Sequence, residues 1–305
     1  MGTTSLEMAR RVVGILLEQP VTVALLDGFD RWDRGEPASD IDVAVSRSLA
    51  SFGPKFFESL AVADCFAVVI WNYDIDASSV FVVDENVDEG VRVDLYYDDV
   101  GAGQYGLRAR AVLARIDAST SPPRIDSVDA WLCSLRERLM QRQQLRAEAL
   151  LADRPATDAA LDARAAEIFE PRAAEGVRAA VETGRIPPRR LARALGDYPG
   201  LASRGMERLR HPAGFWVDLR GEPAVVERTA THVRERFAKV LPRVESLTSG
   251  PGAIPRGMAG RLKPELVISR GMRRPLAPVD LTLEVDTGPD ATTQAIVRGM
   301  ADRYL

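Results

Sequence analysis

Apolar side chains near the start of the chain recur at the spacing of a helix. Leu6, Val12, Val13, Leu16 and Leu17 fall on one face, which predicts an amphipathic helix over 6–18. Acids interrupt this stretch and no small-residue cleavage site follows, which sets it apart from a signal peptide. Next come short runs of β-branched and aromatic residues separated by turn-rich breaks. VTVALL (21–26), IDVAV (41–45), FAVVIWNYD (66–74), SVFVVD (79–84) and VRVDLYYD (91–98) predict strands, with a helix over 53–62. Long helices do not alternate regularly with these strands, so the pattern favours a small mixed sheet of the α+β kind over a doubly wound fold.

The paired prolines of SPPRID (121–126) mark a boundary. Beyond it, 127–210 is rich in Ala, Leu, Arg and Glu. WLCSLRERLMQRQQLRAEALLA predicts one long helix with an apolar stripe at Trp131, Leu132, Leu135 and Leu139. Two or three more helices are expected, broken at RPATD, GRIPP and GDYPG. From 211 the character changes again. GFWVDLRG (214–221) and VDLTLEVD (279–286) predict strands, 223–241 and TTQAIVRGMADRYL predict helices, and SGPGAIPRG predicts a loop. The expected organisation is an α+β domain over 1–125, a helical region over 126–210 and a small α/β region over 211–305.

Composition narrows the function. The 305 residues are 46% hydrophobic and 28% charged, which is enough apolar material for a buried core and excludes disorder throughout. No apolar run approaches the roughly 18–20 residues that span a bilayer, so no membrane partner is expected. The formal net charge of −4 argues against long nucleic acid as a partner. Two cysteines, Cys65 and Cys133, supply neither a disulfide framework nor a zinc site, and a reducing cytoplasm is the expected location. His211 and His232 are the only histidines, too few for histidine-based metal sites or triads.

Against this background one constellation stands out. Gly28-Phe29 is followed by Ser39-Asp40-Ile41-Asp42-Val43-Ala44-Val45. Strand alternation turns Ile41, Val43 and Val45 to one face and Asp40, Asp42 and Ala44 to the other. Two carboxylates on one face suit a shared hard cation such as Mg²⁺. In VRVDLYY, Val91, Val93 and Leu95 share one face, and Arg92, Asp94 and Tyr96 the other. If this strand lies beside the first, Asp94 completes a set of three acids able to hold two metals. One such metal lowers the pKa of an attacking hydroxyl, and the other holds triphosphate oxygens. Asp94 would sit on the nucleophile side and could accept its proton.

The stretch GFDRWDRGEPASDIDVAV, with VRVDLYYD after it, resembles the nucleotidyltransferase superfamily of DNA polymerase β over about residues 20–98. That pattern is Gly-Ser, then Asp-x-Asp, then a separate Asp. The resemblance implies Asp40, Asp42 and Asp94 as metal-binding and catalytic acids for Mg²⁺, with Mn²⁺ as an alternative. It makes Gly28 the glycine that lets a nucleoside triphosphate approach the backbone. Phe29 departs from the family, because it stands where a serine hydroxyl usually holds phosphate. Arg31, Arg34 or turn N–H groups are the candidate substitutes, and Ser39 is a further phosphate contact. The turn ALLDGFDRW and the following helices also resemble bacterial proteins in which such a domain precedes a thymidylate-kinase-like P-loop domain. Here GFWVDLRG leads into GEPAVVERT, and neither it nor GPDATTQ has the P-loop lysine, so 211–305 resembles a reduced kinase without phosphate-binding loop.

The reading that follows is a Mg²⁺-dependent transferase that moves a nucleoside monophosphate from an NTP to an unidentified small-molecule or macromolecular acceptor, releasing pyrophosphate. Two alternatives stay open: a binding protein that keeps the fold without turnover, and a toxin- or antitoxin-type transferase acting on tRNA or protein. The last would use the arginines at 136, 138, 142, 146, 189, 190 and 193 as a basic groove. Tyr96, Tyr97 and Tyr105 are candidates for stacking on a base or for packing, and the acids at 74, 76, 84, 85, 88 and 89 for a solvated hairpin edge.

Overall fold

A computed structural model of the protein describes residues 6–27, 29–36, 40–71, 77–97, 106–141, 143–185, 206, 209–247, 252–271, 279–286 and 288–305. The fold is mixed α+β, with a seven-stranded mixed sheet and a separate four-stranded parallel sheet. The first sheet contains β1 (Val23–Leu25), β2 (Asp40–Val45), β3 (Cys65–Trp71), β4 (Ala77–Asp84), β5 (Gly90–Tyr96), β6 (Ile116–Asp117) and β7 (Arg124–Ile125), in the order β3-β4-β5-β2-β1-β7-β6. β2 runs parallel to β5, and β1 to β7, while the other neighbours are antiparallel. The second sheet orders β8 (Phe215–Arg220), β9 (Arg243–Leu247), β10 (Glu265–Arg270) and β11 (Leu281–Glu284) as β11-β8-β10-β9.

One face of the seven-stranded sheet is covered by α1 (Leu6–Leu17) and α3 (Leu49–Val62). Met8, Val12 and Leu16 on the first helix, and Phe52, Phe56 and Leu60 on the second, bury Val43, Val45, Val80, Val93 and Leu95. Each such side chain taken from water contributes about 1.5–3 kcal/mol. The opposite face is shared between two units. Towards β1 and β2, Ala24, Leu26 and Ala44 pack against α4 (Ala109–Leu113), α5 (Ser127–Gln141), α7 (Asp158–Ile168) and α8 (Pro171–Thr183). Towards β3 and β4, Val69, Phe81 and Val83 pack against β8, α9 (Pro223–Phe237) and α11 (Pro289–Ala301), through Phe215, Val217, Phe237 and Ile296. The outward strip of β2 and β5 lies between the two units.

Several expectations need correction. The predicted long helix is two helices, α5 and α6 (Gln144–Ala152). They fold against each other, so that Trp131 donates its indole N–H to the Leu150 carbonyl at 3.1 Å. A single helix would have left the Trp131 stripe without that partner. SGPGAIPRG is not all loop, because α10 (Ala253–Arg261) begins within it. Its glycines serve packing: a Cβ at Gly257 would lie 2.5 Å from the Trp216 ring. The hairpin acids are not simply solvated. Glu85 pairs with Arg298 and Asp88 with Arg236, fastening the β4–β5 turn to α11 and α9. The side chain of Asp84 accepts the Glu89 N–H at 2.8 Å and closes the turn. Residues 72–76, with Asp74 and Asp76, lie outside the described residues, as does 186–205 with two of the predicted helix breaks.

A buried ion pair ties the helical region together. Arg164 of α7 grips Asp129 of α5 through two bonds of 2.7 and 2.5 Å and also donates to the Ala111 carbonyl of α4 at 2.9 Å. Asp129 is fully buried. Removing one partner strands the other charge, so Asp129→Ala should cost about 3–5 kcal/mol in urea unfolding. A loss below about 1 kcal/mol, the level of an exposed pair, would show that this contact does not hold the helices.

Candidate functional site

β2 and β5 are written in the same two-residue alternation. Ile41, Val43, Val45, Val91, Val93 and Leu95 are buried beneath α1 and α3. Asp40, Asp42, Arg92, Asp94 and Tyr96 therefore face the opposite side. The parallel register sets Asp42 beside Asp94, Asp40 beside Arg92 and Ala44 beside Tyr96. The structure thus brings together the three acids expected from the sequence. They lie on the strip of the sheet between the two covering units, with Asp94 buried and Asp40 and Asp42 half-buried.

Burial and mutual repulsion dominate the electrostatics. Desolvation pushes the Asp42 carboxyl well above the usual carboxylate range, and the charges of Asp27, Asp94 and Asp40 add to the effect. The Tyr96 hydroxyl, donating to Asp42 Oδ1 at 3.1 Å, pulls the other way. Burial also raises Asp94, against the attraction of Arg92 and a hydrogen bond from the Ser79 side chain across on β4. Asp94 Oδ1 is buried and has no hydrogen-bond partner. Its Oδ2 lies 2.9 Å from Arg92 Nη2, and the same nitrogen also pairs with Asp40. Burial opposes the charge on Arg92, but Asp94, Asp40 and Asp42 outweigh it and hold the guanidinium protonated.

Among the described residues, no three His, Cys, Asp or Glu side chains form a ready-made metal cage. Arg92 already engages two of the three acids. The donor set nevertheless fits a hard divalent cation. It offers carboxylate oxygens alone, and one of them, Asp94 Oδ1, is buried without compensation. Asp40, Asp42 and Asp94 are the residues able to hold such an ion once the guanidinium gives way.

The expected nucleotide contacts divide. Gly28, Ser39 and the side chains of Phe29 and Arg31 lie outside the described residues. The backbone of Phe29 opens α2 (Phe29–Arg34). Arg34 is exposed and forks onto Glu36 at 2.6 and 3.1 Å, so its guanidinium is engaged within its own turn. Tyr97 is buried against Ser78 at 2.8 Å, a packing role, and Tyr105 lies outside the described residues. Cys133, on α5, is half-buried, and desolvation pushes its thiol up to about 12, away from the thiolate form. The basic groove also loses members. Arg136 is buried over the Phe169 ring at 5.6 Å, while Arg138 and Arg146 donate to Gln143 at 2.9 and 3.2 Å. Arg142, Arg189, Arg190 and Arg193 lie outside the described residues. At the end of β8, both oxygens of Glu222 accept from the first N–H groups of α9, on Ala224 and Val225, at 3.1 and 2.9 Å. The protein's own carboxylate thus fills the place where a helix N-terminus would receive phosphate.

Two residues of the cluster were missed in the sequence. Asp27 adds a fourth negative charge near Asp42, and its signal was an acid at the end of β1 directly before Gly28. Arg92 shares the outward face, but its pairing across to Asp40 depends on strand register. Comparison with known proteins finds no family model that matches the chain and no curated protein that matches it. No helix among the described residues is long and apolar enough to cross a membrane.

The raised Asp42 pKa fixes a direction for stability against pH. Folded Asp42 binds its proton more tightly than unfolded Asp42. Between the ordinary carboxylate pKa and the raised one, the folded state carries more protons, so stability falls as pH rises through that window. Asp42→Asn abolishes this loss. In EDTA, the Tm of the variant relative to the native protein should climb as pH rises above the ordinary carboxylate pKa. A constant difference across that range would show that Asp42 is not under this strain.

Proposed function

We propose that the protein is a divalent-metal-dependent nucleotidyltransferase of the DNA polymerase β-like kind, moving a nucleoside monophosphate from an NTP to an acceptor hydroxyl, phosphate or amine. The observation that carries the reading is the register of β2 and β5, which sets Asp42 beside Asp94 with Asp40 two residues away on the same face. Bound Mg²⁺ or Mn²⁺ would supply charge to the triphosphate and acidity to the attacking group.

The chain's own residues take distinct roles in this reading. Asp40 and Asp42 on one strand and Asp94 on the next would hold the cation. Tyr96 fixes the rotamer of Asp42 through its hydroxyl. Asp94, with its pKa raised by burial, suits a group that takes the acceptor's proton during attack. The helical region and the C-terminal unit flank the strip on its two sides. Phosphate contacts come from the turn after β1 and not from 211–305, where Glu222 fills the corresponding helix end.

A second reading is a binding protein without turnover. The engagement of Asp40 and Asp94 by Arg92 favours it, since a guanidinium that already pairs with two of the acids offsets part of their charge without a metal. Calorimetric titration with ATP, CTP, GTP and UTP, in Mg²⁺ and in EDTA, separates the two when paired with an assay for released pyrophosphate. The transferase reading expects one nucleotide to bind only with metal, to release pyrophosphate when an acceptor is supplied, and to lose at least about tenfold in affinity in the Asp40→Asn/Asp42→Asn variant. Equal binding in EDTA and in the variant would overturn it. Metal-dependent binding without pyrophosphate from any acceptor would favour the second reading.

A further inference from the structure

Arg92 projects from the same strand as Asp94, two residues before it, and lies opposite Asp40 in the parallel register. One nitrogen, Nη2, contacts carboxylate oxygens of both acids. The guanidinium is held there by charge more than by fit. Its Nε is buried and makes no hydrogen bond. Across the cluster Asp94, only 9% exposed, keeps one oxygen without a partner. A desolvated donor and a desolvated acceptor left unmatched in one cluster both disfavour this arrangement. A cation that replaced the guanidinium could use the free oxygen of Asp94 as well. The Arg92 side chain keeps 27% of its surface exposed, so an outward swing returns its head to water.

We propose that Arg92 is a latch on the carboxylate cluster: its guanidinium and a divalent cation are alternative partners of Asp40 and Asp94. The proposal rests on the reading above that these acids take a divalent cation. With the latch closed, the chain neutralises its own acids and binds metal weakly. Opening costs the two ion pairs, so apparent metal affinity falls by the fraction of molecules that are open. Once released, the planar guanidinium stands at the rim of the acid strip, suited to a bidentate grip on phosphate oxygens. A triphosphate therefore stabilises the open state, and nucleotide and metal each tighten the binding of the other. This gives the site a phosphate partner on a residue distinct from Phe29 and Arg34.

The test is Mn²⁺ titration of the full chain without nucleotide, followed by the loss of the free-ion electron paramagnetic resonance signal. The native protein is compared with Arg92→Gln and Arg92→Lys, with circular dichroism as the check on folding. Arg92→Gln should bind Mn²⁺ about tenfold tighter than the native chain, with Arg92→Lys between them, because a lysine keeps the charge but not the fork. If Arg92→Gln does not fold, the lysine variant still decides, since it too must bind tighter than the native chain. Native-like or weaker Mn²⁺ binding in the folded variants overturns the latch and leaves the proposed function standing. Absence of Mn²⁺ binding in all three proteins overturns the metal site, and the latch with it.

Discussion

Acids on neighbouring strands repel one another, and the fold here holds several of them together. At roughly 5 Å, in the intermediate dielectric of a partly buried site, two such charges repel by about 3 kcal/mol. Asp40, Asp42 and Asp94 lie on two adjacent parallel strands, and Asp27 adds its charge to Asp42. The molecule responds in three ways. Burial and the neighbouring charges raise the Asp42 pKa, Tyr96 donates to it, and Arg92 pairs with Asp40 and Asp94. These responses are incomplete, because one oxygen of Asp94 stays buried and unpaired. A cluster whose cheapest remedy would have been to replace an acid instead keeps all of them.

The architecture explains where this strip lies. Behind it, α1 and α3 bury the inward-facing residues of both strands and fix their register. In front, the helical region reaches Ala44 and Leu26, and the C-terminal unit reaches Phe81 and Val69. The small outward residues Ala24 and Ala44 let helices approach closely on one side, while the apolar residues of β3 and β4 draw the second sheet onto the other. Asp129–Arg164 stiffens the first wall, and the ion pairs of Glu85 and Asp88 fasten the second. The C-terminal unit thus acts as a wall. Glu222 caps its first helix with its own carboxylate, which leaves that end saturated.

Much of this was legible in the chain because the strands obey a period of two. The alternation in IDVAV and VRVDLYY gave the facing of each acid directly, and both strands lie within a residue or two of their expected bounds. The pairing of β2 with β5 was not written in either run, because it depends on the β3–β4 excursion returning the chain in the parallel sense. For the same reason the contact of Arg92 with Asp40 had no local signal. β10 was missed because it is buried on both faces and lacks alternation. α10 was missed because Gly257 and Gly260 read as breakers, whereas their role is to admit Trp216 and Val267. Glu85 and Asp88 read as solvated because their partners on α11 and α9 are far away in sequence.

The most direct test of the account is the anomalous scattering of Mn²⁺ in crystals grown with the ion and a non-hydrolysable triphosphate. The account predicts a peak within coordination distance of carboxylate oxygens from Asp42 and Asp94, with the Arg92 guanidinium turned away from Asp40 and Asp94. A map with Mn²⁺ bound elsewhere, or with Arg92 still closed on both acids and no ion beside them, would contradict it.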